Sequence, residues 1–213
     1  MTDFQFYTKL DQTIMLGMRA RDVAGLLEGI RTVPASSIYH HTHRFLQQHH
    51  YLSPEPPNDF AYWITEVLND AALGERLSSI DIVQFHSIGD LTKNLIDLIK
   101  SYVDEGGDTI RCHPGQEFHF MASQTFVIRT AYAARSLREF ADNLQRVSVG
   151  CIYYHMLDAR LRLEQDDNDF SRWFQELGNR RLAEEVRQLD PYTHTLEGLR
   201  KRLLVLVRQY DRH

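Results

Sequence analysis

The chain has 213 residues and a mass of 25.0 kDa, which at roughly 100 to 200 residues per domain makes one large domain or two small ones. Hydrophobic residues at 43% and charged residues at 25% are ordinary globular values and exclude a wholly disordered, collagen-like or coiled-coil chain. With 24 Lys and Arg against 29 Asp and Glu, the net charge of −5 offers no global positive field, so neither nucleic acid nor a membrane is expected as a partner.

The stretch Met1 to Phe6 lacks a basic segment followed by an apolar one, and the longest apolar run, Leu203 to Val207, is far short of the roughly 18 residues that span a bilayer. A cytoplasmic location is the expectation. Phe4 to Tyr7 alternates apolar and polar residues and predicts a brief strand. Asp22 stands as an N-cap before Val23, Leu26, Leu27 and Ile30, the spacing of an amphipathic helix. Ser36 or Ser37 caps a second helix through Ile38, His41, Phe45 and Leu46, which Pro54, Pro56 and Pro57 end. Asn58 opens a third with Phe60, Trp63, Ile64 and Val67. Leu73, Leu77 and Ile80 make a short fourth, and Ser87 opens a fifth with Ile88, Leu91, Leu95, Leu98 and Ile99.

After the acidic, Gly-containing segment Asp104 to Asp108 the pattern starts again. At an offset of 114 positions Phe4 and Phe6 meet Phe118 and Phe120, Ala20-Arg21 meets Ala134-Arg135, and Ile38-Tyr39-x-His41 meets Ile152-Tyr153-x-His155. At 110, Asn58-Asp59-Phe60-x-x-Trp63 meets Asn168-Asp169-Phe170-x-x-Trp173. Later offsets only shrink, so the matches stay collinear. The expected fold class is therefore mainly α, a tandem duplication of a five-helix unit in which each copy opens with a short β-strand, the two related by a pseudo-twofold axis. The expected divisions are 1–103, a linker at 104–117, and 118–213.

Two cysteines without CxxC spacing, Cys112 and Cys151, give neither a disulfide framework nor a zinc knuckle. Five of the eleven histidines cluster at His40, His41, His43, His49 and His50. On a helix, His40, His43 and His50 share a face and could present three imidazoles to a transition metal such as Zn, Fe or Ni. Leu157 stands where His43 would recur, so this face tolerates an apolar residue and ordinary helix histidines remain the competing reading. Tyr39 and His41, matched by Tyr153 and His155, are the ligand-binding candidates. Brought together at the junction of the units, they would supply proton-transfer groups to a pocket, while half-buried packing residues account for the same pattern. Asn58-Asp59-Phe60 reads as a cap, an acidic first turn and an aromatic anchor, and Ser53 to Pro57 as a rigid loop suited to a partner.

No phosphate loop, dinucleotide fingerprint, nucleophile elbow or zincin helix is present. The run of Phe-x-Phe, Ala-Arg, Ile-Tyr-x-His and Asn-Asp-Phe-x-x-Trp resembles an uncharacterised family of bacterial and archaeal proteins without assigned function, and the resemblance implies no chemistry. The expectation is a helical binding or regulatory module acting through a protein partner or small ligand, without a cofactor and not itself an enzyme. The alternative is a His-rich metal-binding protein or metalloenzyme built on residues 40–50.

Overall fold

The fold was read from a computed structural model that describes residues 3–48, 58–107, 110–163, 167–189 and 194–211. Strands β1 (Phe4–Ala20) and β2 (Phe118–Ala134) are each 17 residues long and pair with one another as a two-stranded antiparallel sheet. Helices make up the remaining regular structure of the described residues. After β1 come α1 (Val23–Thr32), α2 (Ala35–Gln48), α3 (Asp59–Glu66), α4 (Ala71–Ser78) and α5 (Ile88–Asp104). After β2 come α6 (Leu137–Leu144), α7 (Val149–Ile152), a π-helical turn (Tyr153–Asp158), α8 (Ala159–Leu163), α9 (Asp169–Glu176), α10 (Arg180–Arg187) and α11 (Leu196–Tyr210). None of the described helices is long and apolar enough to cross a membrane.

Local chemistry explains most helix starts. The side chains of Asp22, Asn58, Asp70, Ser87, Ser136, Asn168 and Thr195 each accept a hydrogen bond from a backbone N–H in the first turn of the helix that follows, satisfying a donor that has no intrahelical partner. Helix α2 differs from the serine-capped start expected for it. It begins at Ala35, directly after Pro34, and Ser37 is buried inside it.

The chain falls into two compact units. One gathers the first residues up to Leu10 with those from Thr125 onward; the other gathers Asp11–Gln48 with the described residues up to Gln124. In the first, Phe4 packs its ring against Phe140, Phe170 and Trp173, with centroids 5.4 to 5.5 Å away, and Phe6 lies 5.2 Å from Phe140. In the second, Phe118 lies 5.3 Å from Phe60 and 5.7 Å from Trp63. There a Cβ on Gly29 would come within 2.1 Å of the Phe120 ring, so the missing side chain in α1 is what admits the strand. A fully buried Phe stabilises by about 1.5–3 kcal/mol, so these rings are principal holders of the strand starts.

This arrangement corrects the expected architecture. The structure does not support a tandem duplication of a five-helix unit related by a pseudo-twofold axis. The strands are not brief, they pair with each other, and the start of each packs on helices that follow the other strand. The physical reason is that matching residue types record what each position must bury, and say nothing about which segment buries it. The first strand runs well beyond its alternating start because residues 10 to 19, which do not alternate and are largely exposed, owe their extended form to cross-strand hydrogen bonds. The Pro-rich loop Ser53 to Pro57 lies outside the described residues.

Candidate functional site

His155 sits in the π-helical turn, 2% exposed. The backbone N–H of Tyr7 in β1 donates to its Nε2 at 2.8 Å, so Nε2 is the unprotonated nitrogen. Nδ1 therefore carries the hydrogen and donates to Oδ2 of Asp169, in the first turn of α9, at 2.7 Å. Arg162 donates to the same oxygen at 2.7 Å, and its guanidinium lies 4.6 Å from the centre of the Tyr154 ring. Burial pushes the His155 ring below its ordinary range despite Asp169. Burial also opposes ionisation of Asp169, but the hydrogen bonds from His155 and Arg162 outweigh it and hold the carboxyl low.

His41 is held the same way in the other unit. Its Nε2 accepts from the N–H of Met121 in β2 at 2.9 Å, and its Nδ1–H donates to Asp59 Oδ2 at 2.8 Å. In both units a buried, neutral imidazole bridges a strand amide to an aspartate. A ring with both nitrogens committed cannot take up a proton or ligate a metal without releasing the strand or the aspartate.

The other histidines named from the sequence have their own partners. His40 is buried; Arg44 donates to its Nε2 at 3.2 Å, and its Nδ1 is 2.9 Å from Ser123 Oγ. Burial, with His41 and Arg44 alongside, lowers the His40 ring to about 4. His43 Nδ1 is 2.8 Å from Thr42 Oγ1, and its ring stacks on Tyr39 at 5.2 Å. His50 lies outside the described residues. Among those that are described, no group of three or more His, Cys, Asp and Glu side chains is placed to hold a metal ion. Tyr39 and His41 belong to one unit. Tyr153 and His155 belong to the other, where the buried Tyr153 ring has Lys9 Nζ 5.1 Å from its centre and Lys9 pairs with Asp158 at 3.2 Å.

Beside His155 a cavity of about 300 Å³ opens within its own unit, at the low end of the roughly 300–1,000 Å³ of small-molecule pockets. Tyr7, Tyr154 and Trp173 supply rings, Arg162 and Arg172 guanidinium groups, and Asp3, Asp169 and Glu176 carboxylates. Tyr154 is only 9% exposed, yet its hydroxyl makes no hydrogen bond among the described residues, and burial raises its pKa. Among the described residues, the lining contains no serine, threonine, cysteine or lysine. Sequence reasoning singled out His155 here but missed Tyr7, Tyr154, Arg162 and Arg172, which come from three separate segments. A signal was Asp169, which follows His155 by 14 residues as Asp59 follows His41 by 18, each within the repeated Asn-Asp-Phe run.

Residues 1–208 match the model of a family of unknown function, DUF5752, and the chain belongs to that family. Among solved structures it is similar to OrfY from Thermoproteus tenax, with a TM-score of 0.83 and 28% identity over 100% of this chain and 97% of that one. No curated protein matches.

Proposed function

We propose that the chain is a non-catalytic binding module of the cytoplasm whose ligand is a small molecule seated in the cavity beside His155. The observation that carries this reading is Tyr154: a residue almost wholly buried in the cavity wall whose hydroxyl has no protein partner among the described residues. The ring is held in the wall while the hydroxyl stays open to the cavity, where a bound ligand can hydrogen-bond to it. Binding rather than turnover follows from the chemistry of the lining. The one imidazole among the described lining residues is bonded at both nitrogens, and among those residues no hydroxyl or thiol nucleophile other than the two tyrosines faces the space.

Thermal unfolding of the full chain, scanned against small metabolites of every charge class, tests this. A binder raises the midpoint in wild type. Tyr154→Trp, which fills the cavity, abolishes that rise while the protein still folds. A rise that persists in Tyr154→Trp, or none with any compound, overturns the proposal. The His-rich metal reading has less to rest on, because His40 gives both ring nitrogens to Ser123 and Arg44. Untagged protein is expected to purify without stoichiometric Zn, Fe or Ni, and a bound metal lost in His43→Ala would reinstate that alternative.

A further inference from the structure

Resting on the reading of the cavity as a small-molecule site, we propose that its ligand is a zwitterionic α-amino acid with an apolar side chain. Its carboxylate meets Arg172, its ammonium meets Glu176, and its side chain lies among the rings of Tyr7, Tyr154 and Trp173.

Most of the charges in the lining are already paired. Asp3 accepts from Arg135 at 2.9 Å, and Asp169 takes both Arg162 and His155. What is left is one charge of each sign, Arg172 and Glu176, neither of which has an ion-pair partner among the described residues. They stand one turn apart on α9, where side chains lie about 5–6 Å from each other, and the order Arg then Glu is the less favourable one for pairing along a helix. A purely anionic ligand would leave Glu176 facing like charge, and a purely cationic one would do the same to Arg172. A ligand carrying both charges close together satisfies the two residues at once.

The remainder of the cavity suits the body of such a molecule. Trp173 is 4% exposed and Phe4 7%, so the inner wall is aromatic carbon with no unspent charge. Aromatic faces also attract an ammonium group. The hydroxyls of Tyr7 and Tyr154, unpartnered among the described residues, can donate to the carboxylate or accept from the ammonium.

Isothermal titration calorimetry on the full chain decides the class, with L-phenylalanine and L-leucine as probes against 2-phenylethylamine, 3-phenylpropionate and D-glucose. The amino acids are expected to bind about tenfold or more tightly than either singly charged analogue, and glucose not at all. Arg172→Ala and Glu176→Gln, both at exposed positions, each weaken amino-acid binding about tenfold, and Tyr154→Phe weakens it several-fold. Equal or tighter binding of a singly charged analogue or of glucose overturns the proposal. So does unchanged affinity in Arg172→Ala, or no binding of either amino acid at millimolar concentration. If the amino acids fail while the thermal scan finds another compound whose effect Tyr154→Trp removes, only the ligand class falls. If that scan fails too, the cavity reading falls with it.

Discussion

The two bridging histidines tie a strand to a helix through an acceptor that only a neutral ring offers. Replacing His155 with Phe leaves the Tyr7 N–H and the Asp169 carboxylate short of a partner, and the stranded amide alone costs about 1–3 kcal/mol. His155→Gln, whose side-chain oxygen can accept from the amide, is expected to lose less. Urea unfolding of the three proteins ranks them, and an unchanged midpoint in His155→Phe would show that the bridge contributes nothing. The same neutrality gives a pH dependence. His40, lowered to about 4, and His155, also lowered, protonate more readily in the unfolded chain than in the folded one. Their stabilisation is complete above the ordinary imidazole value of about 6.5 and is lost as pH falls below it, in the case of His40 down to about 4. The urea midpoint should therefore drop across that window, with a shallower slope in His40→Gln. Asp169, held low as well, adds to the loss only below the ordinary carboxylate range.

Among the elements, α1 and β2 are fitted by subtraction, since Gly29 leaves the space that the Phe120 ring fills. Gly29→Ala would ordinarily favour a helix by about 1 kcal/mol, but the added methyl collides with a buried ring, and overpacking of that kind costs about 1–3 kcal/mol. The expected result is a less stable protein, measured as a lower thermal midpoint; an increase would mean that Phe120 moves aside freely. Helix starts were the most legible part of the fold. Asp22, Asn58, Ser87, Ser136, Asn168 and Thr195 act on an N–H within three residues, and nothing distant can hide so local an interaction. The strands were legible only at their aromatic ends. The site was legible only in part: His155 stands out in the sequence, Asp169 reads there as the acidic first turn of a helix, and the convergence of Tyr7, Tyr154 and Arg172 depends on how three segments fold together.

At the scale of the molecule, the exchange of strand starts makes each half of the sequence depend on the other. Residues 1–107 alone would keep α1 to α5 but lose the ring of Phe118 against Phe60 and Trp63, and the amide of Met121 on His41. Residues 110–213 alone would lose Phe4, Phe6 and the amide of Tyr7. Each fragment produced separately is expected to lack a cooperative unfolding transition, and mixing the two should restore it. A half that unfolds cooperatively by itself would disprove the dependence.

That exchange also sets a timetable for synthesis. Phe4 leaves the ribosome 169 residues ahead of Trp173, one of the rings it finally meets. At about 5–20 residues per second, roughly 8 to 34 seconds pass before the pair can form. For that interval an alternating aromatic segment waits in water, and in the cell it would be the natural handhold for a chaperone.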